Sequence, residues 1–458
     1  MAVIVGAACQ PLQPVENTVD AGNGTVPHTE VRQTGDQHGR QGASGHGSRT
    51  SNQTATPSTA FSVTPARTLP LVALLVPLSG RQQALGEAVR DGFIAAHLEA
   101  PSGGRVQIMM IDEAAMSASQ AWQQASDAGA SVLVGPLLKE SVEAIAPLAA
   151  EMTKGLFGNG AGDLTRDATT SAFGQMPILA LNNLSDSDAG VGSIWQFGLA
   201  PEDEAREVAQ RAVALGQRRA AVLVPASEWG QRLLDAFSNE FVARGGTVVE
   251  VRTYLPGAPD YSAPIRSLLR TTEPMSGIAA SGANPGEKVN LGPGHRQDVD
   301  LIFLATNSSN GRQLVPQLKF FGGGDLPTYS TSAVWEDNAG DARDLNGVVF
   351  PDGPWIIAPD GRASLVKNGI TLHWGRGALA LSRLYALGYD AYRLLPTIQS
   401  QAYPGPFLTG EIPGSTGVLY ADSTGRIHRR LVFAEIRDGR IMPLPAVGTF
   451  GGSEAGGF

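Results

Sequence analysis

Residues 69–98 read LPLVALLVPLSGRQQALGEAVRDGFIAAHL, and this segment constrains the fold more than any other. Leu71–Val76 is a short unbroken apolar run, the mark of a strand buried on both faces. Pro77–Gly80 interrupts it, and apolar residues then recur at helical spacing as Leu85, Val89, Phe93 and Ala96. A buried parallel strand that runs through a turn into a helix places the turn at the carboxyl edge of a sheet, where open α/β sheets bind ligands. The same strand–turn–helix order repeats along most of the chain and predicts a two-lobed α/β protein.

The first block has strand candidates at 71–76, 106–111, 131–134 and 177–181, with helices at about 82–98, 117–128 and 141–152. The second block opens with a helix over 202–215, whose acidic first turn (Glu202, Asp203, Glu204) complements the positive end of the helix dipole. Strand 220–224, helix 229–243, strands 247–251 and 300–304, and helix 311–320 follow. Beyond them come extended segments at 329–333 and 347–350 and a long helix near 374–395. Gly417–Tyr420 and Leu431–Ile436 alternate like a hairpin around Asp422–Gly425. Residues 153–175 and 272–298 lack periodicity and read as inserted surface loops.

Composition narrows the class. The 458 residues are 42% apolar and 17% charged, which suits a globular body with a large core. A net charge of −9 argues against nucleic acid or an anionic membrane surface as partner. No run reaches the ~18–20 apolar residues of a membrane span. The single cysteine, Cys9, follows Gly6, Ala7 and Ala8, and this start resembles the end of a bacterial lipoprotein signal. Residues 1–9 are therefore expected to be a truncated signal with a lipidation site at Cys9, a buried or incidental cysteine being the alternative. Residues 10–68 are rich in Gly, Ser, Thr, Gln and Pro and are expected to form a disordered tether, reaching ~200 Å if fully extended. His28, His38 and His46 lie in it and read as solvated linker residues rather than metal ligands.

Hydrolytic signatures are poor. There is no GxSxG elbow, no HExxH helix and no clustered Cys/His set. The Gly158–Gly162 run has no strand before it, so it reads as a loop rather than a phosphate cradle. Asp112 and Glu113 at a strand end form a carboxylate pair, and such acids cap helices or face solvent more often than they catalyse. No metal and no cofactor is expected, and a binding or regulatory role is favoured over an enzyme.

Several segments together resemble a known fold. ALLVPLSG, VLVGPLLKESVEAIAPLAA, PILALNNL and IWQFGLAPEDEAREVAQRAVALGQRRAAVLVPASEWGQ look like the type I periplasmic-binding fold, across about residues 69–445. The LALNN segment, the FGLAPEDEA segment and the Glu228-Trp229-Gly230 turn most resemble the LppC/LpoA group of lipoproteins, the penicillin-binding protein activators. The resemblance implies two lobes, each a mostly parallel sheet flanked by helices, joined by three crossings near Gln196–Gly198, Ser330–Trp335 and Gly405–Gly410. Residues 69–197 plus 331–405 are then expected as lobe 1, 198–330 plus 406–445 as lobe 2, and 446–458 as a flexible tail.

In such a fold, strand ends and helix starts line the cleft. Candidate ligand-binding residues are Ser79 and Gly80, Ser141, Asn182 and Asn183, Trp229, Thr306 and Trp335. Each has a plain alternative: a cap, a turn or interface packing. Ser141 opens a helix, so its hydroxyl and the nearby amides can accept a carboxylate. The Ser/Thr-rich turns of amino-acid-binding members are here Leu137-Leu138-Lys139-Glu140-Ser141 and Leu181-Asn182-Asn183-Leu184, which weakens a receptor reading.

Three functions are carried forward. The first is an envelope lipoprotein, anchored by lipid to the outer membrane, that activates a bifunctional penicillin-binding protein by contact in the periplasm. The second is a solute-binding protein of a branched-chain or amide-type amino-acid transporter, with a small amino-acid-like ligand in the cleft. The third is an enzyme or an unrelated scaffold.

Overall fold

Strand β1 (Leu71–Val76) is buried from Val72 onward, as its unbroken apolar run requires. The computed structural model describes residues 69–157, 176–184, 194–270, 296–337, 340–400 and 410–447. Cys9, the segment 10–68 with its three histidines, the Gly158–Gly162 run, most of both inserted loops, all but Gly410 of the crossing expected at 405–410 and most of the tail lie outside the described residues.

The first sheet has five parallel strands in the order β2 (Gln107–Asp112), β1, β3 (Val132–Val134), β4 (Ile178–Ala180) and β5 (Ile194–Gln196). Helices α1 (Gln83–Glu99), α2 (Ala118–Asp127) and α3 (Lys139–Phe157) connect them. Ser117 starts α2 with a capping box, its hydroxyl accepting the Gln120 amide while the Gln120 side chain takes the Ser117 amide. Alternate β1 residues face opposite cores. Ala73 and Leu75 pack with Val142 and Ile145 of α3, whereas Val72, Leu74 and Val76 pack with Val89 and Phe93 of α1.

The second sheet is built on α4 (Pro201–Ala214), β6 (Arg219–Pro225), α5 (Glu228–Ala243), β7 (Thr247–Tyr254), α6 (Ser262–Leu269), β8 (Leu301–Leu304), α7 (Ser308–Leu318), β9 (Thr328–Tyr329) and β10 (Val348–Asp352). Short helix α8 (Pro354–Ile357), α9 (Gly361–Trp374) and α10 (Ser382–Ser400) follow. Next come β11 (Ile412–Pro413), β12 (Val418–Ala421), β13 (Ile427–Arg430), β14 (Val432–Arg437) and β15 (Arg440–Pro443). The seven-stranded order is β15-β14-β10-β9-β8-β6-β7, parallel from β7 to β10 and antiparallel at β14 and β15. Phe237 and Phe241 of α5 stack in line with Phe303 of β8, with centroids 4.3 Å and 5.1 Å apart along the stack.

Three sequence expectations need correction. Strand β10 was expected with lobe 1, yet Val349 pairs with Tyr329 and Phe350 with Ala434, so it belongs to the second sheet. The chain leaves that sheet only after Asp352, not near Ser330–Trp335. The tail hairpin pairs β12 with β13 (Leu419 opposite Arg429), while Val432–Arg437 pairs with β10 and β15. The long helix begins at Ser382, because Gly375 at φ 76° ends α9 and a 3-10 stretch over Arg376–Leu381 intervenes.

Helix α10 returns to the first sheet and packs on α1 through two glycines. A Cβ at Gly92 would stand 1.9 Å from the Tyr385 carbonyl oxygen, and a Cβ at Gly388 1.9 Å from that of Val89. The backbones therefore touch directly. Around them the Tyr392 ring meets Phe93 edge-on at 5.1 Å, and the Tyr389 hydroxyl donates to Glu99 at 2.6 Å.

Candidate functional site

The turn after β1 and the start of α3 meet at the carboxyl edge of the first sheet, where the sequence candidates were expected to gather. The acids of β2 occupy both places. Asp112 Oδ1 accepts the amides of Leu78 (2.7 Å) and Ala114 (3.0 Å), and the Ser79 side chain and amide bond the same carboxylate. Gly80 takes φ 73°, which closes this turn. Glu113 is buried, and its carboxylate accepts the amides of Leu137 and Leu138, both at 2.9 Å, together with the Ser141 hydroxyl. Burial pushes the Glu113 carboxyl up, and the three hydrogen bonds only partly offset this. Ser141 and the amides ahead of α3 thus do bind a carboxylate, and it is the chain's own. Replacing Glu113 by glutamine leaves one of these donors facing an NH2 group, and a loss of about 1–3 kcal/mol is expected in chemical denaturation.

The other candidates are also engaged within the fold. Asn182 Nδ2 donates to the Leu137 carbonyl at 3.0 Å, and its Oδ1 accepts the Asn183 amide. Asn183 lies against Gly198, and its buried Oδ1 has no hydrogen-bond partner among the described residues. Trp229 packs on the α4–α5 core. Thr306 is fully buried beside the Tyr254 hydroxyl. Trp335 is buried and stacks on Phe350 at 6.3 Å. Ser79, Gly80, Ser141, Asn182 and Asn183 belong to the first-sheet edge, whereas Trp229, Thr306 and Trp335 belong to elements of the second sheet.

A second polar centre was not foreseen. It lies where α4, the end of β10, α10 and the β11–β13 sheet converge. Glu204, in the first turn of α4, accepts the Ser332 amide (2.8 Å) and hydroxyl (2.9 Å) and stands 3.9 Å from Arg429. Burial pushes its carboxyl up to about 7, against the pull of Arg429. Arg383 grips Asp352 through Nε (2.9 Å) and Nη2 (2.7 Å) and also donates to the carbonyls of Ser332 and Trp335. Asp390 of α10 accepts the amides of Ser415 and Thr416 and the Thr416 hydroxyl, at 2.7–2.8 Å. His428 bridges Asp203 (3.5 Å) and Asp422 (2.9 Å), and these hydrogen bonds hold its pKa above the ordinary value although burial opposes them. The only sequence signal for this centre was the acidic first turn of α4, which reads as dipole complementarity alone.

Chemically, these groups fasten crossing segments to one another. Among the described residues, no group of three or more His, Cys, Asp or Glu side chains stands where it could hold a metal ion, and no helix is long and apolar enough to cross a membrane.

The fold is that of the two-lobed type I periplasmic-binding class. It matches a Rhodospirillum rubrum structure described as a "putative branched-chain amino acid ABC transporter" with a TM-score of 0.59 at 18% identity, over 82% of this chain and 100% of that one. It also matches the structure described as the C-domain of LpoA (YraM) from Haemophilus influenzae, a regulator of PBP1A, with a TM-score of 0.60 at 23% identity, over 82% of this chain and 100% of that one. The model of the family described as "LppC putative lipoprotein" covers residues 59–159 and 162–439, and the chain belongs to this family. A Photobacterium profundum protein named penicillin-binding protein activator LpoA is 28% identical over 81% of this chain and 56% of its own length. Its Haemophilus influenzae namesake is 26% identical over 81% of this chain and 55% of its own length. The chain thus spans about half the length of the curated relatives it matches.

Proposed function

We propose that this chain regulates a peptidoglycan synthase, activating a bifunctional penicillin-binding protein by surface contact rather than by catalysis or solute capture. The observation that carries the proposal is the Glu113 carboxylate on the Leu137 and Leu138 amides. The helix start best suited to a free amino acid's carboxylate already holds one, which disfavours the transporter alternative. Membership of the LppC family and the activator names of the relatives support the same reading. Under it, the chain is an envelope lipoprotein lipidated at Cys9 and held at the outer membrane, with residues 10–68 as its tether and the two sheets as lobes of a periplasmic body.

The test is reconstitution. The purified full chain is titrated into a purified bifunctional penicillin-binding protein turning over lipid-linked disaccharide-peptide substrate. The expected result is saturable binding with a rise in the rate of cross-link formation. Absence of both binding and rate change overturns the proposal. Retention of one equivalent of a free amino acid through gel filtration would reinstate solute capture.

A further inference from the structure

Helix α9 (Gly361–Trp374) buries only Ala363 and Ile370 of its 14 residues. Three of its large apolar side chains face outward: Leu365 is 72% exposed, Leu372 80% and Trp374 58%. Single exposed leucines are ordinary, but these two are arranged. Leu365 and Leu372 stand seven positions apart, about two helical turns, and so share one face. Gly369 lies between them on that face. A Cβ added there would meet nothing within 4 Å, so no other part of the described chain covers the centre of the face.

The same stretch is basic. Residues 361–389 contain no Asp or Glu, in a chain of net charge −9. Lys367 is held by Asp337 and Arg383 by Asp352, each at 2.7 Å. Arg362 and Arg376 are exposed, and neither guanidinium has a hydrogen-bond or ion-pair partner among the described residues. Arg362 precedes Leu365 and Arg376 follows Leu372, which sets the two charges about 20 Å apart on the rise of a helix.

A second copy of the chain fits this pattern poorly. Two α9 helices set antiparallel, with Leu365 against Leu372, would bring Arg362 against Arg376. Set parallel, they would bring each arginine against itself. Like charges so placed repel. The complement of this face has carboxylates at both ends of an apolar centre.

We propose that the Leu365–Leu372 face of α9 is the docking surface for the penicillin-binding protein, and that it takes an acidic segment whose carboxylates flank apolar side chains. The inference rests on the activator reading and adds to it the surface and the chemistry of the contact.

The full chain and its variants are titrated against the purified bifunctional penicillin-binding protein, with thermal midpoints as the check of folding. The pair Leu365→Asp and Leu372→Asp, and separately the pair Arg362→Glu and Arg376→Glu, are each expected to weaken binding about tenfold or more. Leu255→Asp, at a leucine 69% exposed beyond β7, should bind as the unaltered chain does. Equal binding by the unaltered chain and both α9 pairs overturns the docking surface and leaves the activator reading standing, whereas no binding by the unaltered chain overturns both. A loss in Leu255→Asp as large as in the α9 pairs also overturns the surface. Binding to phosphatidylglycerol vesicles that the α9 pairs lose, with synthase binding intact, overturns the protein partner in favour of a lipid surface. A concentration-dependent dimer lost in the same pairs, again with synthase binding intact, overturns it in favour of a second copy.

Discussion

Gly388→Ala is expected to destabilise the chain by about 3 kcal/mol or more, at or beyond the upper end of ordinary overpacking. The new methyl would lie 1.9 Å from the Val89 carbonyl oxygen and 2.8 Å from its carbon, with a milder approach of 3.0 Å to the backbone nitrogen of Phe93. Neither neighbour is a side chain that can turn aside. Relief requires α10 to move away from α1, which opens the contacts of Phe93, Tyr389 and Tyr392 along the same seam. Gly369→Ala in α9 supplies the control. Nothing lies within 4 Å of its added methyl, and removing glycine from a helix interior stabilises by about 1 kcal/mol. Denaturant unfolding of the two variants checks both signs. A loss below about 1 kcal/mol for Gly388→Ala would mean that the helices are not in backbone contact.

Stability is expected to decline as the pH rises from about 5 to 8. Glu204, raised from 4.5 to about 7 by burial, retains in the folded state a proton that the unfolded chain releases. The folded state therefore binds more protons across this window, and stability falls with rising pH. The contribution is fully present below the unfolded value and lost as the pH passes about 7; at 1.36 kcal/mol per unit it amounts to about 3 kcal/mol. Glu207, Glu113 and Asp390 are shifted in the same direction. His428 acts in the same sense, because its partners Asp203 and Asp422 raise its pKa and their support is lost as it deprotonates. Asp203 acts oppositely, but its pKa is held below 3.8, so its loss falls at more acid pH. Thermal midpoints at pH 5, 6, 7 and 8 should fall by several degrees, and Glu204→Gln should flatten much of that slope. An unchanged slope in Glu204→Gln would show that Glu204 is already charged when folded.

Much of the fold was legible because its signals are local. The apolar run of β1 and the helical spacing of Leu85, Val89 and Phe93 led to bounds within a residue or so of those observed. The acidic first turn marked α4 for the same reason. The failures arose where local signals were equal. Val348–Phe350 reads as a strand for either sheet, and only its neighbours Tyr329 and Ala434 settle which one. Leu431–Ile436 alternates as well as β13 does, and adjacency to the Asp422–Gly425 turn gave β13 the hairpin. The candidate site residues were placed at strand ends and helix starts, but their partners were not readable. Ser79 and Ser141 stood out as ligand donors, while Asp112 and Glu113, the acids that engage them, stood out separately as a weak carboxylate pair.

What the sequence by itself determined is therefore the succession of strands and helices and the fold class they build, since periodicity, turns and caps act over a few residues. The tertiary structure alone decided the partners of the buried polar groups. Glu204 meets Ser332 across 128 positions, and Glu113 meets Leu137 across 24. A buried carboxylate must find donors, but which donors it finds depends on which backbone the packing of both sheets brings within reach.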